Sequence, residues 1–194
     1  MTEDLERVSP WRVLDERVVY EQRPWLRLRE QDVELPNGTV INKYLLTDVR
    51  EVAMIFAVTT EDEVLFVEQY KHGLGSSSLD LCAGYMDAED PSPLATAQRE
   101  LAEETGYTSD QWTHLGSLYF NPNWSNAQFH FFLARQCRPA GGQHLDPTEE
   151  LRVRRIPLDE VDDLVGSGQV RTVSTVAGIA LGLRFLRLLT HGRP

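Results

Sequence analysis

The chain has 194 residues and a formal net charge of −11, which argues against a nucleic-acid backbone as its main partner because phosphate binding needs clustered basic residues. Hydrophobic residues make up 41% of the sequence and charged residues 25%, as in a globular domain with a substantial core. Cys82 and Cys137 are too few for a disulfide framework or a zinc site. The N-terminus is charged and lacks a signal-peptide pattern. Together with the small number of cysteines, this leads us to expect a cytoplasmic protein.

Residues 1–48 form a β-rich opening section. Strand-like alternation covers Arg12–Glu21, Trp25–Glu34 and Val40–Leu46. An Asn37-Gly38 pair between the last two runs predicts a hairpin, because this pair tolerates the positive φ angles of a tight turn. Such an antiparallel β-meander has too little core to stand alone, so we expect it to lie against the main domain or a partner chain.

Residues 49–194 are expected to form the main domain. A continuous apolar run predicts a strand buried on both faces, and several further strand patterns follow it with a few helices between them. This pattern predicts an α/β (α+β) fold with a mixed sheet between helices. The strands are expected at Val52–Val58, Val64–Glu68, Leu79–Ala83, Trp112–Phe120, Phe129–Arg135 and Leu151–Ile156.

The apolar stretch from Val173 to Leu189 needs a separate interpretation. It is broken by Arg184 and Arg187, and its length is marginal for about 30 Å of hydrocarbon. We therefore expect an amphipathic helix packed on the domain and no membrane partner.

Three carboxylates are packed into five positions of the segment after Gly84. Glu100, Glu103 and Glu104 would share one helix face, because positions i, i+3 and i+4 coincide there. Like charges at this spacing repel, and the plain interpretation is a solvated helix face. A divalent cation such as Mg²⁺, which takes oxygen ligands, reverses the sign of that energy. Arg99 can neutralise and orient one carboxylate.

The run from Arg99 to Tyr107, R-E-L-x-E-E-x-G-Y, resembles the second half of the Nudix box, G-x5-E-x7-R-E-U-x-E-E-x-G-U. The first half departs from that pattern, since one extra residue stands in the loop and either Asp90 or Glu89 has to serve as the loop acid. The resemblance implies the Nudix α/β/α sandwich and a site for Mg²⁺ or Mn²⁺. By position, its metal ligands would be the backbone carbonyl of Ala83 and the carboxylates of Glu100, Glu103 and Glu104.

Two segments that flank this run narrow the resemblance to one subgroup of the family. The run Glu68–Lys71 with Leu79–Gly84 is similar to the E-Q-Y-R…E-L-P-A-G pattern of ADP-ribose and related nucleoside-diphosphate-sugar pyrophosphatases, with Lys71, Asp80 and Cys82 as departures. This implies hydrolysis of a nucleotide sugar, with ADP-ribose favoured, to a nucleoside monophosphate and a sugar phosphate. It also implies a homodimer formed through the N-terminal section.

Other site residues carry open alternatives. Glu149 and Glu150 stand where related enzymes keep a general base, with Glu149 slightly favoured, or they are solvated loop acids. Glu103 can bridge metals or act as a base. Lys71 can contact a phosphate or be an ordinary surface lysine.

Aromatic residues and alternative functions complete the expectations. Trp25 and Trp124 can stack on a nucleobase or be core or interface residues. His130, in an aromatic strand, is expected to be a satisfied core residue. The alternatives to the leading function are a Nudix hydrolase of dinucleoside polyphosphates or other nucleotides, and a non-catalytic nucleotide-sensing module. Such modules usually lose helix glutamates, which persist here.

Overall fold

The computed structural model describes residues 9–191, which fall into two compact units. The smaller unit takes in the chain up to Arg50 together with Tyr119–Ala127, and the larger one takes in Glu51–Leu118 and the chain from Gln128 onward. The segment Tyr119–Ala127 belongs with the smaller unit because Thr47 donates to it. The Thr47 amide and hydroxyl lie 2.5 and 3.1 Å from the carbonyl oxygen of Trp124.

The smaller unit is a three-stranded antiparallel sheet, as the sequence predicts. Its strands, in the order β1-β2-β3, are Arg12–Gln22, Leu26–Glu34 and Val40–Asp48. In the predicted turn between β2 and β3, Asn37 Oδ1 accepts from the Thr39 amide at 3.0 Å and Gly38 has a φ of 81°.

Opposite charges face each other across β1 and β2, where Arg12 pairs with Glu34 and Arg17 with Glu30. Such cross-strand pairs favour this register. Val33 is the one buried residue of the three strands, so the sheet has almost no core of its own.

The larger unit is built on a seven-stranded mixed sheet. The strand order is β10-β5-β6-β4-β9-β7, with β8 paired to β9, and the β4–β9 pairing is parallel. The strands are β4 Val52–Thr59, β5 Glu63–Lys71, β6 Ser76–Tyr85, β7 Tyr107–Thr108, β8 Gln111–Tyr119, β9 Gln128–Pro139 and β10 Leu151–Pro157. The helices are α1 Pro93–Thr105, α2 Val161–Ser167 and α3 Val173–His191, and two short 3₁₀ turns cover His72–Leu74 and Leu158–Glu160.

The two faces of this sheet carry separate hydrophobic cores. One core joins the sheet to Ala97 and Leu101 of α1. The other joins it to Leu164 of α2 and Ile179 of α3. The sheet therefore lies between helices on both faces, which confirms the predicted α/β/α architecture.

Helix α3 meets, by length and composition alone, the criteria for a membrane span, with a mean hydropathy of 1.5 over Val173–Thr190. Core helices of globular domains meet the same criteria. One face of α3 packs on the sheet, where Thr175 and Ile179 are buried and the Thr175 hydroxyl accepts from the Leu81 amide at 3.3 Å.

Candidate active site

Helix α1 carries the acidic cluster and is bounded by strong local signals. Ser92 caps its N-terminus, since Ser92 Oγ accepts from the Ala95 amide at 3.2 Å, and Pro93 occupies the first turn. Gly106 ends the helix with a φ of 73°, the left-handed conformation expected of a C-cap glycine. Glu100 and Glu104 are buried, which rules out the solvated-face interpretation for these two residues.

The end of β6 lies directly against this helix. A Cβ atom on Gly84 would stand 1.9 Å from both Cδ and Oε1 of Glu100, so only glycine allows the strand this close. One residue earlier, the Ala83 amide donates to Glu104 Oε2 at 3.1 Å. The strand therefore brings the backbone of Ala83 and Gly84 to the buried glutamates.

Arg99 organises the rest of the cluster. Its Nη1 atom lies 2.8 Å from Glu100 Oε1 and 2.9 Å from Glu103 Oε2, and its Nη2 atom donates to the Tyr85 carbonyl at 3.3 Å. These contacts join the helix, the strand end and the loop. Hydrogen bonding with Asp90 is the main reason why the pKa of Arg99 is raised.

Asp90 is the loop acid that meets Arg99. Asp90 Oδ2 accepts from Arg99 Nη2 at 2.9 Å and from the Thr96 hydroxyl at 2.9 Å, and Asp90 Oδ1 lies 3.3 Å from Arg99 Nε. Glu89 is exposed. Of the two acids that the sequence leaves open, Asp90 therefore takes the contact with the helix arginine. The Arg99 hydrogen bond is the main reason why the pKa of Asp90 falls to about 2.

Burial raises the pKa of two of the helix carboxylates, whereas Arg99 lowers that of Asp90. Burial raises the pKa of Glu100 to about 7, with Arg99 opposing it and the charge of Glu103 adding to it. It raises the pKa of Glu104 to about 8, against a hydrogen bond from the Cys82 thiol. Two carboxylates that are costly to ionise side by side form a site that a positive charge would stabilise.

The donor set fits a hard divalent cation. Carboxylate oxygens from one helix, with a backbone carbonyl nearby on β6, are the ligand types that Mg²⁺ and Mn²⁺ take. Among the described residues, no three His, Cys, Asp or Glu side chains already converge on a single metal position. Arg99 Nη1 contacts both Glu100 and Glu103, at 2.8 and 2.9 Å, and the Glu103 side chain is 41% exposed. The ligand roles of Ala83, Glu100, Glu103 and Glu104 stay predictions.

The two candidate bases lie in different surroundings. The negative charge of Glu149 adds slightly to the raised pKa values of Glu100 and Glu104. Glu149 Oε2 accepts from the Asp146 amide at 3.1 Å. Glu150 lines a cavity of about 260 Å³ with residues of β5, β6 and β10. The choice of Glu149 over Glu150 as the base stays a prediction.

The loop before Glu149 is fastened to the C-terminal end of α1. Gln143 Nε2 donates to the Glu104 carbonyl at 2.6 Å and the His144 amide donates to the Glu103 carbonyl at 2.9 Å. These carbonyls have no partner inside the helix, so the loop satisfies them. The role of Gln143 was not predicted from the sequence, because the loop has no pattern that predicts a contact with α1.

Lys71 and Asp80 line a cavity next to Gly84. This cavity, of about 320 Å³, also has Ala83, Gly84 and Tyr85 in its wall. Lys71 Nζ lies 3.8 Å from Asp80 Oδ2, and Asp80 is buried. From the sequence, Asp80 was noted only as a departure from a motif. A charged residue within the apolar run of β6 was nevertheless a signal that could have identified it.

The two candidate stacking residues belong to the smaller unit. Trp25 is 58% exposed, and the Arg50 guanidinium lies 4.8 Å from its ring centroid. Trp124 is 63% exposed and borders an apolar cavity of about 570 Å³ with Tyr44 and Leu45. Neither ring is buried in a core, so the core interpretation of these two tryptophans is wrong, and the stacking and interface interpretations stay predictions.

His130 is a satisfied residue, as expected. Its Nδ1 atom lies 2.8 Å from Ser117 Oγ and its Nε2 atom lies 3.0 Å from Glu51 Oε2. Both ring nitrogens therefore have partners within the larger unit.

Known proteins resemble the chain over both units. The NUDIX domain matches residues 48–174, and the nucleoside diphosphate sugar hydrolase N-terminal domain matches residues 11–44. An ADP-ribose pyrophosphatase of Bacillus subtilis (strain 168) is 31% identical over 159 residues, which is 81% of this chain and 83% of that protein. A GDP-mannose pyrophosphatase of Citrobacter koseri is 31% identical over 163 residues, 78% of this chain and 83% of its own length. A crystal structure of an ADP compounds hydrolase has the same fold, with a TM-score of 0.81, 24% identity and coverage of 97% and 100% of the two chains.

Proposed function

Because the chain belongs to the Nudix family and is a hydrolase of that family, we propose that it cleaves the pyrophosphate bond of a nucleoside diphosphate sugar in a metal-dependent reaction. ADP-ribose is the favoured substrate, and the products are a nucleoside monophosphate and a sugar phosphate. Relatives named for ADP-ribose and for GDP-mannose support this substrate class.

The observation that carries the proposal is the buried acidic site at the end of β6. Glu100 presses against Gly84, Glu104 accepts from the Ala83 amide, and Arg99 joins Glu100 to Glu103. The burial of Glu100 and Glu104, with all three helix glutamates present, supports a cation-binding catalyst over a module that has lost these glutamates.

The chemistry follows from the charge of the substrate. A bound Mg²⁺ or Mn²⁺ would neutralise the pyrophosphate oxygens and lower the pKa of a water molecule, with Ala83 O and the carboxylates of Glu100, Glu103 and Glu104 as the residues that hold it. Arg99 keeps Glu100 and Glu103 oriented, and Asp90 keeps Arg99 in place.

Glu149 is proposed as the general base. Its carboxylate takes a proton from the attacking water while the oxygen of that water forms a bond to one phosphorus atom. The bond from this phosphorus to the bridging oxygen breaks, and the leaving phosphate carries the electron pair away. The anchored loop supports this role, because Gln143 and His144 hold it against the carbonyls of Glu104 and Glu103.

Two kinds of substrate contact are proposed, each described within its own unit. Lys71 supplies a positive charge for a phosphate, and Trp25 and Trp124 offer exposed rings on which a nucleobase can stack. The two buried free cysteines suit the cytoplasm, which we propose as the compartment in which the enzyme works.

We also propose that two chains associate through the N-terminal sheet. Every residue of β1 is exposed, including the large apolar side chains of Val13, Val18 and Tyr20, and so is Trp11 just before the strand. Apolar area of this extent on a sheet with a single buried residue favours association. A second copy of this chain is the occupant we propose. Light scattering should give twice the mass of the chain, and a monomer at micromolar concentration would contradict it.

One assay tests the function. The purified protein is incubated with Mg²⁺ or Mn²⁺ and with ADP-ribose, GDP-mannose, other nucleotide sugars, diadenosine polyphosphates or nucleoside triphosphates, and the products are separated by chromatography. We expect a nucleoside monophosphate from at least one nucleotide sugar and none after addition of a chelator. Cleavage confined to diadenosine polyphosphates or triphosphates would contradict the substrate class, and binding without turnover would contradict the reaction.

A further inference from the structure

A second buried carboxylate, Asp80 in the middle of β6, is not part of the acidic cluster on α1. It is 4% exposed. Its Oδ1 atom accepts from the hydroxyls of Thr172 at 2.6 Å, Thr175 at 3.0 Å and Ser78 at 3.4 Å. Its Oδ2 atom is buried and has no hydrogen-bond partner among residues 9–191. An acceptor in this state carries its full desolvation cost, so it requires a physical explanation.

The Lys71 ammonium is the charge that faces this oxygen. The distance from Lys71 Nζ to Asp80 Oδ2 is 3.8 Å, which is within the range of an ion pair but too long for a hydrogen bond. The Lys71 side chain is 41% exposed, whereas the Asp80 side chain is 5% exposed. One member of the pair is therefore fixed and the other reaches solvent.

Both residues line the cavity of about 320 Å³ beside Gly84. Lys71 is the one basic side chain in its wall, as far as the described residues show. The cavity is at the small end of the range for ligand pockets, so it holds part of a nucleotide sugar rather than the whole molecule. Its polar wall of Gln69, Thr172 and Ser174 suits hydroxyl groups, and Ala83 and Gly84 connect it to the site of bond cleavage.

We propose that this cavity binds the sugar phosphate end of the substrate and that Asp80 is a positioning residue that directs the Lys71 ammonium toward the phosphate. The inference rests on the proposed function and adds to it the sugar subsite and the role of Asp80.

The physical reason for such a pair is the nature of lysine. A lysine ammonium is a point charge on a flexible stem and lacks the fork with which arginine fixes its own direction. Asp80 is held by two threonine hydroxyls through Oδ1, so its Oδ2 atom presents a fixed negative charge on one side of Lys71. At 3.8 Å the ammonium donates no hydrogen bond to Asp80, so its N–H groups are available to a ligand in the cavity.

The test measures binding without turnover. Ribose 5-phosphate, inorganic phosphate and AMP are titrated calorimetrically into wild-type protein and into Lys71→Met, Asp80→Asn, Lys71→Arg and the Lys71→Met/Asp80→Asn double variant. A charge-assisted hydrogen bond corresponds to roughly a tenfold change in affinity. We expect Lys71→Met and Asp80→Asn each to weaken ribose 5-phosphate about tenfold by this estimate. The double variant should be no weaker than Lys71→Met, and Lys71→Arg should recover binding.

Two further variants keep the test decisive. Thr172→Val removes one hydroxyl that holds Asp80 Oδ1, and it replaces Asp80→Asn if that variant does not fold. We expect it to weaken ribose 5-phosphate in the same direction but less. Asp110→Asn, an exposed aspartate far along the chain, is the matched control and should bind as wild type does.

The outcomes separate the subsite from the function. In steady-state kinetics, Lys71→Met and Asp80→Asn should raise KM for a nucleotide sugar with little change in kcat. Unchanged binding and KM in an active enzyme would overturn the subsite and leave the function standing. Losses that multiply in the double variant would overturn the positioning role. Lys71-dependent binding of ribose 5-phosphate by a protein that hydrolyses no nucleotide sugar would support the subsite and overturn the proposed function.

Discussion

The loop before α1 and the helix itself place carboxylates around the same arginine, but the two regions treat these groups in opposite ways. Asp90 in the loop takes two hydrogen bonds from Arg99, and its pKa falls to about 2. Glu100 and Glu104 on the helix are buried, and their pKa values rise to about 7 and 8. The negative charge of the loop acid is neutralised by Arg99, whereas the helix acids have too little positive charge around them to offset their burial.

This difference separates a structural role from a catalytic one. A carboxylate that is fully matched by arginine holds a loop against a helix and has no reason to bind a cation. Buried carboxylates that are poorly matched cost stability unless a ligand compensates them, and such sites mark function. We therefore expect changes on the helix to remove activity with little loss of stability, and changes in the loop to cause a smaller loss of activity together with a small loss of stability.

The largest expected effect comes from Glu104→Gln or Glu103→Gln. Loss of a metal-binding carboxylate removes several kcal/mol of transition-state stabilisation, so kcat should fall by about a thousandfold or more. The thermal midpoint should not fall for Glu104→Gln, because glutamine replaces a buried carboxyl group that is costly to ionise. Glu89→Gln, a change of the same kind at an exposed loop position, is the control and should keep wild-type turnover. Full activity in both helix variants would refute the assignment of the metal site.

The next effect distinguishes Glu149 from Glu150. Removal of a general base costs roughly 100- to 10,000-fold, so Glu149→Gln should lower kcat by at least about 100-fold with little change in KM. Glu150→Gln is the matched control, since that residue lines a different cavity. A larger loss in Glu150→Gln than in Glu149→Gln would reverse the assignment of the base.

A smaller effect is expected for Asp90→Asn, which weakens the clamp on Arg99 without touching a metal ligand. Groups that orient metal ligands typically contribute about 10- to 100-fold to activity or metal affinity, and we expect a loss in that range. Raising the Mg²⁺ concentration should recover part of the activity of Asp90→Asn but none of the activity of Glu104→Gln. Metal titrations of the two variants measure this contrast, and identical responses would show that the loop and helix acids have one role.

Much of the helix was predictable from the sequence, because its signals are local. The spacing of the glutamates and Gly106 at the C-cap both lie within a few turns of chain, and the structure has them as predicted. The loop acid was not predictable, because one extra residue left Asp90 and Glu89 equivalent in sequence until the position of Arg99 was known.

Long-range contacts account for what the sequence could not give. Trp124 joins the N-terminal unit through Thr47, 77 positions away, and no periodicity predicts that pairing. Asp80 depends on Thr175, 95 positions away, so its burial with a hydrogen-bonded oxygen could not be inferred from β6 alone. Gln143 likewise meets α1 only in three dimensions.

The smallest expected effect is the pH dependence of stability that Asp90 contributes. Its pKa is about 2 in the folded protein and 3.8 in an unperturbed aspartate, so the folded state favours the ionised form. The stabilisation is fully present above pH 3.8 and is lost as the pH falls toward 2. Near the surface, such a pair contributes at most about 1 kcal/mol, equivalent to about 2–4 °C in a chain of this size. Calorimetry should therefore give Asp90→Asn a thermal midpoint a few degrees below wild type at pH 6, and the gap should close as the pH approaches 2. Asp110→Asn, which replaces an exposed aspartate, should show no gap at either pH. A gap for Asp90→Asn that persists unchanged at low pH would mean that Asp90 stabilises the loop by packing and not through its charge on Arg99.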